Sequence, residues 1–167
     1  MKLRLIITAA SVFTGCAPSP AVEGKPGPAR SSRAMPATRW TANIQSVTES
    51  RSDISQPQRA RSYGSATMTQ AQHNNLTSVS ITFTHTGPDR FLNWAIYSGS
   101  CGSSSLPMLA ITSFPELQVG GGGRAVLTAD LPLEFPMNGS FYVNIYRERQ
   151  QSLEGLIACG NFRGTET

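Results

Sequence analysis

Ser78-Val79-Ser80-Ile81-Thr82-Phe83-Thr84 is the stretch that decides the fold. Apolar and hydroxyl side chains alternate without a break, so one face of an extended chain is greasy and the other is wet. A period of two is the mark of a half-buried antiparallel strand, not of a helix. The strand is expected over 76–85, and Thr86-Gly87-Pro88-Asp89 supplies turn chemistry after it.

The same period extends outward in both directions. Trp40, Ala42, Ile44 and Val47 suggest a first strand, and 63–69 pairs with 76–85 around the polar turn at 70–75. Further strands are expected over 91–97, 108–112, 125–131, 140–147 and 155–161, with a short one at 116–119. Glycine, proline and serine clusters separate them, and no segment has the 3.6-residue period of an amphipathic helix. About eight short strands with turns between them predict an all-β fold, an antiparallel Greek-key sandwich or barrel over 39–163 with a tail at 164–167.

Upstream of the strands the composition changes. Residues 17–38 contain five prolines and two glycines but almost no large apolar side chain. Such a segment cannot bury enough surface to offset chain entropy, so a flexible, disordered tether is expected over 16–38. Before it, Lys2 and Arg4 precede an apolar run containing Leu5, Ile6, Ile7, Val12 and Phe13. That is the pattern of a signal peptide over 1–15 and too short for a membrane-spanning helix.

The chain has 167 residues, 14 basic and 10 acidic side chains, and a pI near 9.3. The pI misleads about the domain. Residues 62–167 carry five arginines against seven acids, so the basic excess lies in the leader and the stretch that follows it. Nucleic-acid binding by the domain is not expected.

Phe13-Thr14-Gly15-Cys16, at the end of the apolar run, resembles the lipobox of bacterial lipoproteins. The resemblance implies lipidation of Cys16, anchoring in a membrane, and, with Ala17 following, the outer membrane where an envelope has two. Several acyl chains at ~0.8 kcal/mol per buried methylene hold a protein firmly. Three cysteines is an odd count for an exported chain. With Cys16 lipidated, Cys101 and Cys159 remain as a pair, and an oxidising compartment would let their disulfide persist.

A second resemblance spans 62–162. Leu156-Ile157-Ala158-Cys159-Gly160 looks like the closing strand of copper/zinc superoxide dismutases, and Trp94-Ala95-Ile96-Tyr97 with Ser98-Gly99-Ser100-Cys101-Gly102 looks like their metal-binding strand and the loop after it. Gly64-Ser65-Ala66, Gly123-Arg124-Ala125 and Val143-Asn144-Ile145-Tyr146 follow in the matching order. The likeness extends to chordin-domain-like modules of envelope proteins. It implies the same sandwich and the same cysteine bond.

The metal ligands of that family are missing. Ala95 and Tyr97 stand where the resembled strand carries His-x-His, Tyr146 replaces a further histidine, and Leu156 replaces the arginine that guides the anion. Phenol and methyl groups cannot replace imidazoles at copper. No metal or other cofactor is expected.

Other candidates for chemistry are few. His73 lies in a polar turn. His85 with Asp89 could form a general base, but no nucleophile motif such as Gly-x-Ser-x-Gly accompanies it. Gly120–Gly123 lacks the helix and lysine of a phosphate cradle. Ser103, Ser104 and Ser105 have no partner in sequence. Trp94, Tyr97 and Tyr146 suggest an aromatic patch for a glycan or peptide, or simple filling of a vacated site. The expectation is therefore a lipid-anchored, non-catalytic envelope module that binds the membrane and an envelope protein or glycan. The alternative is a degenerate dismutase-like enzyme or another enzyme with an unrecognised site.

Overall fold

The computed structural model describes residues 37–47, 61–72 and 75–165. The expected leader, Cys16, most of the tether, the polar loop at 48–58 and His73 lie outside the described residues.

Eight strands form: β1 (Arg39–Ser46), β2 (Ser62–Gln70), β3 (Thr77–His85), β4 (Phe91–Ser98), β5 (Leu117–Gln118), β6 (Arg124–Leu131), β7 (Phe141–Tyr146) and β8 (Leu156–Thr165). All pairings are antiparallel, and the sheet order is β5-β4-β7-β8-β1-β2-β3-β6. The two edge strands, β5 and β6, are consecutive in the chain. Gly123, at φ +76°, makes the tight turn between them, and the Gly120 amide donates to the Arg124 carbonyl (2.9 Å). The sheet therefore curls until its edges meet at one corner, giving a nearly closed Greek-key barrel. Closure hides edge backbone groups that would otherwise be open to pairing with other chains.

Period two explains the interior. Val79, Ile81 and Phe83 on β3 face Met68 and Ala66 on β2, and all are buried. The alternation extends one step beyond the apolar residues at each end, to buried Thr77 and His85. Thr77 Oγ1 donates to the Leu133 carbonyl (2.8 Å), which keeps its hydroxyl from being stranded. Gly64 sits opposite Phe83 because a Cβ there would collide with the Thr82 carbonyl and the Phe83 Cα.

Three boundaries differ from the sequence expectation. No strand forms over 108–112. The Met108 amide makes one ladder bond to the Ile96 carbonyl (2.8 Å), Pro107 beside it has no N–H to continue, and the chain turns into a 3-10 turn at Ile111–Ser113. Val47 lies out of phase with Trp40, Ala42 and Ile44 and is exposed. Finally, β8 runs to Thr165, two residues into the expected tail. Its Thr165 carbonyl accepts from the Thr38 amide (3.1 Å), and Ala37 is buried with its amide on the Met137 carbonyl. The packed unit thus takes in residues read as tether and tail.

Strands β4 and β7, with the adjoining Ile157–Gly160 stretch of β8, are buried on both faces. Their inner face joins the barrel core. Their outer face meets the loop after β4, through Tyr142 and the Ser103 carbonyl, and the segment at 147–155, through Tyr97 and Gln151; together these add a partial second layer. The Cys101–Cys159 disulfide (S–S 1.98 Å, Cα–Cα 6.0 Å) fastens the first of these segments to β8. Tyr142 reinforces it by donating its hydroxyl to the Ser103 carbonyl (2.7 Å).

Candidate functional site

Beneath that second layer lies a cluster of polar side chains with unusual burial. The register pairs Tyr97 with Tyr142, Ala95 with Asn144 and Asn93 with Tyr146, so these side chains share the outer face of β4 and β7. Tyr97, Tyr146 and Asn144 are 5%, 3% and 6% exposed. Tyr97 stacks on Tyr142 (centroids 5.0 Å apart, planes 18° from parallel). Gln151, from the segment at 147–155, completes the cluster.

Hydrogen bonds run through it in one direction. Asn144 Nδ2 donates to Tyr146 Oη (2.8 Å), and Tyr97 Oη donates to Gln151 Oε1 (2.8 Å). With the Tyr97 proton so engaged, the 3.0 Å contact between the phenols is Tyr146 Oη–H donating to Tyr97 Oη. Two atoms at the ends have no partner: Asn144 Oδ1 and Gln151 Nε2.

This chemistry does not suit a metal. Burial drives the Tyr97 pKa far above the ordinary tyrosine range, and the hydrogen bond and charge of Tyr146, then the charge of Tyr142, push it the same way. The phenol stays protonated at physiological pH and does not act as a base there. Among the described residues, no three His, Cys, Asp or Glu side chains come together as a ligand set. The donors present at the resembled copper positions do not fit copper.

The expected aromatic patch is divided by the fold. Trp94 points to the opposite face of β4 from Tyr97, into the core, because adjacent strand residues point opposite ways. Its ring packs edge-on against Phe114 (5.1 Å) and its Nε1 donates to the Pro115 carbonyl (2.7 Å). Trp94, Tyr97 and Tyr146 are all buried, so they do not form a surface patch.

At one end of the barrel, a second chain contains the other candidates. His85 Nδ1 lies 2.9 Å from Ser62 Oγ, and its Nε2 lies 3.1 Å from Asp89 Oδ2, which also meets Arg147 Nε at 3.4 Å. The residue types are those of a serine hydrolase relay, and Ser62 was not recognised from sequence. Ser62 and His85 are, however, 4% and 1% exposed. The Ser62 amide is held by Ser46 Oγ (3.0 Å) and its carbonyl accepts from the same hydroxyl (2.7 Å), so the amide is not free to stabilise an oxyanion. The chain ties β1, β2, β3 and the residue following β7 together.

The serine loop is likewise structural. Ser103 Oγ accepts from the Ser100 amide (3.2 Å), and Ser105 Oγ donates to the Ser98 carbonyl (2.6 Å). Gly120–Gly123 is the β5–β6 turn, with no helix following it.

A scan against protein-family models and a search of curated proteins returned no match to this chain.

Sequence reasoning missed Asn144 and Gln151. Asn144 carried a usable signal, as the polar member of the otherwise apolar and aromatic Phe141-Tyr142-Val143-Asn144-Ile145-Tyr146. Gln151 carried none: it reaches Tyr97 across 54 positions from a segment without regular structure.

Proposed function

We propose that the protein is a lipid-anchored module of the bacterial envelope that binds or scaffolds and performs no metal or hydrolytic chemistry. The observation that carries this reading is the Tyr97–Tyr146 phenol pair, hydrogen-bonded to each other at 3.0 Å with Tyr97 held protonated, at positions where the resembled enzymes carry copper-binding imidazoles. The Cys101–Cys159 bond supports the exported location, because disulfides persist in oxidising compartments. It also leaves Cys16, after the apolar leader, as the unpaired cysteine available for a lipid. Envelope proteins and glycans are the partners this location offers.

Two results test the two halves of the proposal. Cys16→Ser abolishes labelling by a fatty-acid probe and releases the protein from membranes; continued labelling of that variant refutes the anchor. The full chain, loaded with copper and zinc and then dialysed, retains no stoichiometric metal and dismutates superoxide no faster than buffer. Stoichiometric copper with a rate above that of the aquated ion moves the protein into the enzyme class.

A further inference from the structure

The outer face of β1 and β8 carries an open groove of about 590 Å³, which neither the Tyr97 cluster nor His85 lines. Its floor follows from the register. Arg163 stands opposite Thr41 and Cys159 opposite Gln45, so Asn161 and Asn43 between them share the same outward face by period two. The Cys101–Cys159 disulfide lines the end beside Gln45. Ligand clefts have volumes of roughly 300–1,000 Å³, and most are lined by apolar side chains. This one is lined mainly by amide and hydroxyl groups, with Val47 as its only aliphatic residue. It suits a polar occupant.

Charge narrows the class. Arg163 lies in the groove, and none of the described residues lining it is acidic. Arg39 stands opposite Thr165, which makes it the diagonal neighbour of Arg163 on the same face, at about 7–8 Å. Neither arginine has an ion-pair partner among the described residues. Two like charges placed side by side repel, and an anion between them relieves the repulsion. Guanidinium groups meet carboxylates with two parallel N–H donors, which makes a carboxylate the matching anion. Asn161 is already fixed for such a ligand. Its Oδ1 accepts from the Cys101 amide (2.7 Å), and the disulfide holds Cys101 in place. A side chain ordered before binding loses little entropy when the ligand arrives.

The fold argues against other anionic partners. A peptide adds to a sheet through a free backbone edge, and β1 and β8 are each paired on both sides. Nucleic acid needs more phosphate contacts than two arginines supply. A membrane surface takes up a broad apolar face, which Val47 alone does not provide. Sugar hydroxyls, by contrast, both donate and accept, and each side-chain amide offers the complementary pair.

We propose that the β1–β8 groove binds a short acidic saccharide, with Arg163 and Arg39 on the carboxylates of uronic-acid rings and Asn43, Gln45 and Asn161 on ring hydroxyls. The inference rests on the binding-module reading above and gives it a site and a ligand class.

The test is a titration of the full chain in detergent, followed by NMR at the side-chain amides of Asn43, Gln45 and Asn161. The probes are glucuronate and galacturonate trisaccharides, their methyl esters, and acetate. At least one uronate gives saturable shifts at these amides. Its methyl ester, which keeps the hydroxyls and loses the charge, binds at least tenfold more weakly, and acetate gives no saturable shift. Arg163→Gln weakens uronate binding about tenfold, the loss expected for one charge-assisted contact. Arg124→Gln, on β6 at the far edge of the sheet, leaves it unchanged. Thermal melts establish that both variants fold. Failure of both uronates, equal binding of the methyl ester, an equal response to acetate, or wild-type affinity in Arg163→Gln overturns the proposal. Fatty-acid labelling and copper retention on the same preparation test the anchored, non-catalytic reading separately. Lipidated, metal-free protein that ignores both uronates loses only this site.

Discussion

Replacing Cys101 and Cys159 together by alanine lowers stability by roughly 4 kcal/mol, the value expected from chain entropy for a loop of 58 residues. In a domain of this size that corresponds to a fall in Tm of roughly 15 °C. The bond acts mainly on the unfolded chain, by preventing residues 101 and 159 from separating. It also acts on the folded state by fastening the start of the segment at 99–116. That segment is otherwise tied to the barrel through the Tyr142–Ser103 hydrogen bond, the Cys101 amide on Asn161 Oδ1 (2.7 Å), Ser105 Oγ on the Ser98 carbonyl (2.6 Å), the short bridge at Pro107 and, at its far end, Trp94 on Phe114 and the Pro115 carbonyl. These contributions are separable by hydrogen exchange. If only the unfolded state is affected, protection falls evenly across the barrel amides. If the covering segment detaches, the amides of β4 and β7 lose protection first. A double-alanine variant that melts with the wild type contradicts both.

Much of the barrel could be read from the chain because its strands are amphipathic. Val79, Ile81 and Phe83 needed only their alternation with serine and threonine to be placed in the interior, and they are fully buried. The segment at 108–112 failed for the opposite reason. Met108, Leu109 and Ile111 have strand-like composition, but prolines at 107 and 115 limit the ladder, and the chain instead closes over Trp94 with Phe114. Met108 and Leu109 are only partly buried against the core, so composition reported burial in part and conformation incorrectly.

The polar site was harder. The pairing of Tyr97 with Tyr146 followed from period two together with the family resemblance, and the hydroxyls meet at 3.0 Å. The grouping of Trp94 with them broke that same period, since a residue adjacent to Ala95 must face the other way. The rest depends on tertiary placement. Ser62 reaches His85 only because β2 and β3 pair in that register, and Gln151 reaches Tyr97 only through a left-handed backbone at a residue without glycine's freedom.

Trp94→Ala is the variant that separates a core tryptophan from a ligand-binding one. Trp94 is 1% exposed, packs edge-on against Phe114 and donates Nε1 to the Pro115 carbonyl. Truncation removes the indole from the barrel interior, leaves a cavity between β4 and the segment before β5, and strands the Pro115 carbonyl. Such changes cost about 3–5 kcal/mol, a large share of the roughly 5–15 kcal/mol that holds an ordinary domain together. The variant should unfold at markedly lower urea with an unchanged m-value. Trp94→Phe keeps most of the ring packing and loses chiefly the Nε1 bond, so it falls between, at about 1–3 kcal/mol. If Trp94 instead lay at the surface to stack on a ligand, truncation would change stability by less than about 0.5 kcal/mol. A wild-type urea midpoint for Trp94→Ala would therefore return Trp94 to a surface patch and overturn the inward orientation of alternate β4 residues on which both the core and the Tyr97 site depend.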